Sequence, residues 1–265
     1  AGGPLEPNPP HIPRENPTGC YRRTFRLPVR FEGRRLILRL EGAETAYYVF
    51  VNGACAGFAK DSKLPSEFDV TDLCRPGENL LAVQVMHFAD SSYLEDQDYW
   101  YLSGITRSVM LISKPRIRIE DYKITAIPDL HHRTGEIVCD VTVTRADGFA
   151  DCGVRLTVYD RNGERVGQGR GEIQPRAGYR QDRVPTMNTG RIRVHLPSVE
   201  LWSTETPVLY RAVIELTGKG GHAVDVEACS IGFKTVEVRD GVVLLNGERL
   251  LIRGVNRHEH CLEGG

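Results

Sequence analysis

Arg191-Ile192-Arg193-Val194-His195-Leu196 is the stretch from which the fold class can be read. Ile192, Val194 and Leu196 fall on one face of an extended chain, and Arg191, Arg193 and His195 fall on the other. Alternation with period two is the mark of a half-buried strand, because successive side chains point to opposite faces. The same pattern recurs in Leu36, Leu38 and Leu40, in Leu81, Val83 and Val85, in Val141 with Val143, and in Val154, Leu156 and Val158. Between such stretches stand Asn52-Gly53, Asn162-Gly163, Asp240-Gly241 and Asn246-Gly247. These dipeptides accept the positive φ angles of tight hairpin turns. No window of three helical turns carries a convincing i, i+3, i+4, i+7 spacing. The chain reads as all-β up to its last few residues.

Two breaks divide it. Lys114-Pro115 ends one β-rich block, and the pattern restarts with Ile117, Ile119 and Tyr122. A second change comes at Ile231-Gly232-Phe233, where short hairpin-rich strands lead into Leu250-Leu251-Ile252-Arg253-Gly254-Val255. Residues 1–115 suit a β-sandwich of jelly-roll type, and residues 116–232 suit an immunoglobulin-like sandwich, typically ~100 residues. Residues 233–265 are too few to bury a core of their own. They are expected to open a further domain, residues 250–255 forming a buried strand, and the sequence is expected to be a truncated piece of a larger protein.

Composition narrows the function classes. At 40% hydrophobic and 26% charged residues the chain is of globular type, which sets aside disorder, collagen and coiled coil. Its 34 Lys plus Arg against 35 Asp plus Glu leave a net charge of -1, so nothing draws it toward nucleic acid or an anionic membrane. The longest strongly apolar run, residues 46–51, is far short of the ~18 residues that span a bilayer. The N-terminal residues lack the order of a signal peptide. A soluble, cytoplasmic protein is expected. The seven cysteines (20, 55, 74, 139, 152, 229 and 261) are scattered without a Cys-x-x-Cys pair, so reduced and mostly buried thiols are expected.

Three segments stand out. Residues 92–107 place Glu95, Asp96 and Asp98 beside Tyr93, Tyr99, Trp100 and Tyr101. Carboxylates accept hydrogen bonds from hydroxyls and rings cover the apolar face of a pyranose, so a sugar site is one reading. A solvated acidic loop beside core aromatics is the other. Asn256-Arg257-His258-Glu259-His260 follows the apolar residues 250–255. Its histidines share a face of an extended chain, yet the spacing does not match the helical His-Glu-x-x-His. Polar residues at the C-terminal end of a (β/α)₈ barrel strand face an active site, whereas hydrogen-bonded structural histidines fit the same spacing. The third segment, residues 201–210, brackets Pro207 with Trp202 and Tyr210 and reads as a packing corner without chemistry.

Beyond these patterns, the sequence resembles the large bacterial β-galactosidases of glycoside hydrolase family two. The resemblance rests on ENPTGCY (residues 15–21), DSKLPSEFDVTD (61–72), SYLEDQDYW (92–100), LWSTETPVLY (201–210) and LLNGERLLIRGVNRHEH (244–260), five phrases in order over essentially the whole chain. It implies a jelly-roll sugar-binding-type domain, an immunoglobulin-like sandwich and the first strand of a truncated (β/α)₈ barrel. It also implies release of terminal β-D-galactose from β-galactosides such as lactose, with retention. The nucleophile and acid/base glutamates, about 5–5.5 Å apart in a retaining enzyme, would lie in barrel segments outside this chain, as would the magnesium ligands.

Two contacts carry over. Asp98 is similar to the family aspartate that contacts galactose and helps hold Na⁺, and His258 is similar to a ligand for galactose hydroxyls. Tyr99 stands where the family commonly has methionine and Cys261 where it has histidine. Oligomers, often tetramers, are what the family implies for the intact enzyme. A β-glucuronidase or β-mannosidase would share the architecture, although a third acid in the pocket would repel a glucuronate carboxylate. A non-catalytic carbohydrate-binding protein of two β-sandwiches would account for the first 230 residues and leave residues 250–255 unexplained.

Overall fold

The computed structural model describes residues 8–95, 102–144, 152–175, 188–218 and 220–256. Strand makes up 56% of the structure and helix 3%, the all-β outcome that period-two alternation dictates. The described helical elements are two single 3₁₀ turns, Val29–Phe31 and Asp90–Tyr93. Two compact units divide the chain after Lys114.

The first unit contains β1 (Thr18–Leu27), β2 (Arg35–Leu40), β3 (Ala43–Glu44), β4 (Ala46–Val51), β5 (Ala54–Ala59), β6 (Ser66–Asp69), β7 (Gly77–Met86), β8 (Gly104–Ile105) and β9 (Val109–Lys114). One antiparallel sheet runs β1-β7-β4-β5, the facing one runs β6-β2-β9, and β3 pairs with β8. Leu36, Leu38 and Leu40 of β2 share a core with Tyr47, Val49 and Val51 of β4 and with Val83 and Val85 of β7. The Tyr47 and Phe68 rings meet edge-on at 6.2 Å. Each aliphatic side chain taken out of water here contributes about 1.5–3 kcal/mol. This is the jelly-roll-type sandwich.

The second unit, Pro115–Gly254, contains β10 (Ile119–Pro128), β11 (Gly135–Val143), β12 (Gly153–Tyr159), β13 (Arg165–Glu172), β14 (Gln174–Pro175), β15 (Asn188–Leu196), β16 (Tyr210–Thr217), β17 (Ala223–Ile231), β18 (Val236–Arg239), β19 (Val242–Leu245) and β20 (Glu248–Arg249). Its sheets run β10-β11-β15-β14 and β13-β12-β16-β17. That is the strand order of an immunoglobulin-like sandwich. Ile192, Val194 and Leu196 are buried, whereas Arg191, Arg193 and His195 are exposed. On the polar face Arg191 pairs with Asp140 directly across the β11–β15 ladder. At one edge the sheets come so close that a Cβ at Gly171 would sit 2.5 Å from the Arg191 carbonyl oxygen, and one at Gly169 2.8 Å from that of Arg193. Glycine is what lets these backbones approach.

Residues 201–210 form the expected corner. Leu201 bridges Phe233, the Trp202 N–H donates to the Phe233 carbonyl (2.9 Å), and the Asn246 amide donates to the Trp202 carbonyl (2.9 Å). The Glu200 N–H donates to the Tyr210 hydroxyl at 2.9 Å, and the Tyr210 and Phe233 rings meet edge-on at 5.3 Å. Strands β18, β19 and β20 follow as a meander. Three of the four expected hairpin dipeptides, Asn52-Gly53, Asp240-Gly241 and Asn246-Gly247, have both residues at positive φ. At Asn162-Gly163 only the glycine does.

Two expectations need correction. Residues 250–255 are neither strand nor buried here; Leu251, Ile252 and Val255 are 66%, 80% and 86% exposed. A barrel strand needs hydrogen-bonding neighbours and covering helices, and none of the described residues pairs with this stretch beyond the Leu250 N–H to Val243 carbonyl bond. The thiols are not mostly buried either. Cys20 and Cys55 are exposed, Cys74, Cys152 and Cys229 are intermediate, and Cys139 alone of the six described is in the core.

Candidate functional site at one end of the first unit

One polar cluster of the first unit gathers around Ser62. Residues 60–66 leave β5 and enter β6, and Ser62 sits there in the left-handed region at φ 43° with 3% of its surface exposed. Its carbonyl accepts from the Ala43 N–H at 3.1 Å. Its hydroxyl donates to a Glu95 carboxylate oxygen 33 residues further along the chain. The Thr45 carbonyl lies 3.4 Å from the same hydroxyl, a long contact beside the charge-assisted one. Glu95 is held from its own side too. The 3₁₀ turn Asp90–Tyr93 ends with the Leu94 and Glu95 N–H groups donating to the Ser91 carbonyl (2.8 and 3.0 Å), and the Ala89 N–H donates to the Ser92 hydroxyl (3.0 Å).

The neighbouring charges are compensated. Lys63 pairs with Glu44 at 3.1 Å, and Lys60 with Asp90 at 2.7 Å. The Arg107 guanidinium donates to the Lys63 carbonyl at 3.0 Å and the Ser66 hydroxyl to Asp61 at 3.2 Å. Hydrogen bonding to Lys60 holds the Asp90 carboxyl below its ordinary value. Asn16 closes the far side with two bonds to Phe88, accepting from its N–H at 2.8 Å and donating to its carbonyl at 2.9 Å. Three of the quoted phrases, around Asn16, Ser62 and Glu95, are thereby tied to the segment that enters and leaves Asp90–Tyr93. Nothing in their spacing announces this. The only sequence signal is a buried-type serine in a polar turn between strands.

Asp98 and His258, together with Asp96, Tyr99, Trp100 and Cys261, lie outside the described residues. Among the described residues no group of three His, Cys, Asp or Glu side chains is arranged to hold a metal. The reason is visible in the pairs above: Glu44, Asp90 and Glu95 already answer Lys63, Lys60 and Ser62. The described carboxylates thus do not fit a sodium site by themselves. Elsewhere in the unit a cavity of about 650 Å³ opens between β1 and β9, lined by Phe25, Phe31, Leu38, Met110 and the arginines of β1.

Comparison with known proteins returns one family over nearly the whole length. Residues 2–115 match "Glycosyl hydrolases family 2, sugar binding domain", residues 117–234 match "Glycosyl hydrolases family 2", and residues 236–265 match its "TIM barrel domain". A β-galactosidase of Enterobacter cloacae is 42% identical over 99% of this chain, and β-galactosidase 2 of the same organism is 41% identical over 99%. The chain spans 25% of the length of each. Among solved structures, an FMN-binding β-glucuronidase of Facaelibacterium prausnitzii superposes with a TM-score of 0.77 at 28% identity, covering 94% of this chain and 37% of that one. A β-glucuronidase of Bifidobacterium dentium gives 0.77 at 27%, covering 93% and 44%. With both sandwiches and the entry to a barrel accounted for, the chain belongs to glycosyl hydrolase family 2.

Proposed function

We propose that this chain serves as the N-terminal, substrate-rimming part of a β-galactosidase, a retaining hydrolase that releases terminal β-D-galactose from β-galactosides. The observation that carries the reading is the 42% identity to a β-galactosidase over 99% of the chain. The pair of glutamates that such chemistry needs would come from the rest of the protein. This chain's part is to offer Asp98, three residues after Glu95 in the sequence, and His258 as galactose contacts. Na⁺ at Asp98 and Mg²⁺ held outside this chain belong to the same reading and would supply charge stabilisation. So do a cytoplasmic location and a homotetrameric assembly. Among the described residues no helix is long and apolar enough to cross a membrane.

A β-glucuronidase is the second reading, since two such enzymes share the architecture at 28% and 27% identity. The third acid of the Glu95-Asp96-Gln97-Asp98 phrase, Asp98, weighs against it, because an acid in the sugar pocket would repel a glucuronate carboxylate. The full-length protein, assayed with chromogenic β-galactoside and β-glucuronide, separates the two. At least 10²-fold higher kcat/KM on the galactoside is expected. Preference for the glucuronide overturns the proposal, and binding of sugars without turnover of either points to the carbohydrate-binding alternative.

A further inference from the structure

We propose that the open edge of the first sandwich, between β1 and β9, binds an amphiphilic carboxylate. Its alkyl or aryl body lies along the groove and its carboxylate meets Arg23 and Tyr21. The inference goes beyond the β-galactosidase reading and is tested separately from it.

β1 and β9 are outer strands of the two facing sheets, and every residue lining the groove between them belongs to the first unit. Across the β1–β7 ladder Tyr21 stands opposite Val83 and Arg23 opposite Leu81; across the β2–β9 ladder Val109 stands opposite Leu40. Directly opposed residues share a face, so Tyr21, Arg23 and Val109 point inward with the core. Yet Tyr21 is 41% and Val109 37% exposed, against 3% for Val83 and 0% for Leu40. The sheets are not closed against each other along this edge. They leave about 650 Å³ between them, a volume usual for a small-molecule site.

The lining decides the ligand. Its walls are aliphatic and aromatic, and its polar side chains are Arg22, Arg23, Arg26 and Tyr21, with no carboxylate or amide among them. A sugar needs acceptors as well as donors, whereas guanidinium groups only donate. Arg26 stands across the ladder from Glu78, which offsets its charge. Arg22 and Arg23 stand across from Ala82 and Leu81, and among the described residues neither has an ion pair or a hydrogen bond. Of the two, Arg23 is on the inward face. The Tyr21 hydroxyl, two residues away on that face, is likewise without a partner among the described residues. Its ring rests against two glycines: a Cβ at Gly104 would sit 2.8 Å from the hydroxyl oxygen, and one at Gly19 3.0 Å from the ring. A guanidinium fork and a phenol over a floor of Leu38, Leu81, Val83 and Leu111 suit a carboxylate that carries an apolar tail.

Octanoate is the probe, used below its micelle-forming concentration, with octanol and acetate as its uncharged and tail-less counterparts. Isothermal titration of the full-length protein should show one octanoate per chain with a Kd on the order of 0.1 mM. Octanol should bind about tenfold more weakly, because it brings no charge to Arg23. Acetate, with no apolar body, should not bind measurably. Arg23 is exposed, so Arg23→Gln should spare the fold, weaken octanoate about tenfold and leave octanol unchanged. Tyr21→Phe should weaken octanoate by less. Val109→Trp, which fills the groove, should weaken octanoate and octanol together. Equal affinity for octanoate and octanol, or wild-type octanoate binding by Arg23→Gln, overturns the proposal. So does a full-length protein that binds no octanoate, the result expected if the rest of the protein covers the groove. Uptake of many octanoates per chain with a falling melting temperature means detergent action and overturns it as well.

Discussion

Tyr210→Phe and Tyr210→Ala divide the hydroxyl of the second unit's corner from its ring. Tyr210 is 5% exposed and opens β16; its hydroxyl accepts the Glu200 N–H at 2.9 Å, and its ring meets Phe233, which is fully buried, edge-on at 5.3 Å. Phenylalanine keeps the ring and leaves the Glu200 N–H without its partner. Because Glu200 is exposed, water can reach that N–H, so the cost belongs at the low end for a lost hydrogen bond, about 1 kcal/mol. Alanine also empties a ring-sized volume from the core, for about 3–5 kcal/mol. For a unit of this size each kcal/mol moves the melting temperature by roughly 3 °C. The expected shifts are therefore about 3 °C for Tyr210→Phe and about 10 °C or more for Tyr210→Ala. Thermal unfolding followed by tryptophan fluorescence reads both, since Trp202 sits in the same corner under the Lys234 ammonium at 4.2 Å. A Tyr210→Phe protein as stable as wild type would remove the hydroxyl from the account. One as unstable as Tyr210→Ala would mean that the hydroxyl and not the ring holds the corner.

Thiol labelling under native conditions should modify Cys20 and Cys55 rapidly and spare Cys139, whose thiol burial pushes up to about 12; rapid labelling of Cys139 would contradict the sealed inter-sheet core. In the turn after β10, the His132 N–H, the His132 imidazole and the His131 N–H hold Asp129 down at about 2, while the Asp129 carboxylate raises His132 above 6.5. A depressed acid stabilises above its ordinary 3.8 and loses that as pH falls through about 2. A raised histidine stabilises below 6.5 and loses that as pH rises through its folded value. The turn should thus be firmest between 3.8 and 6.5. An NMR titration in which Asp129→Asn leaves the His132 midpoint unmoved would refute the pairing. In the full-length protein, His258→Ala should lower kcat and kcat/KM together by roughly 10²-fold, about 2.7 kcal/mol of transition-state stabilisation. Wild-type kcat with a lowered melting temperature would make that histidine structural.

The sandwiches were legible because one physical rule writes them. A strand with one wet face must alternate, so Leu36, Leu38 and Leu40 or Ile192, Val194 and Leu196 declare their buried faces in the sequence, and the structure buries every one of them. The hairpins were legible because few residues tolerate positive φ. Residues 250–255 match the opening of the family's TIM barrel domain yet form no strand here, for a related reason. An apolar run states what a segment would bury, whereas a strand exists only when partners supply its hydrogen bonds. The cysteines misled in the same direction: sulfur is apolar enough for a core, yet Cys20 and Cys55 lie on β1 and β5, the outer strands of their sheet, where exposure is decided by position in the topology.

The site was only half legible, and the missing half has a definite character. The acids near residues 95–98 could be read as a candidate sugar site because their chemistry is local to the sequence. Their support could not. Ser62 is joined to Glu95 across 33 residues and Arg107 to the Lys63 carbonyl across 44. None of these pairs has a spacing rule, since each is created by where β3, β5, β6 and the Asp90–Tyr93 turn happen to end. A β-sandwich places its framework in alternating strands and its specificity in the loops at its ends. Framework positions therefore repeat, and can be read, whereas loop contacts occur once each. The consequence for this family member is concrete: substitutions at Ser62 or Asn16, whose side chains bond across 33 and 72 residues, should lower the melting temperature more than changes to the exposed Arg191 or Arg193, although the arginines belong to the most readable stretch of the chain.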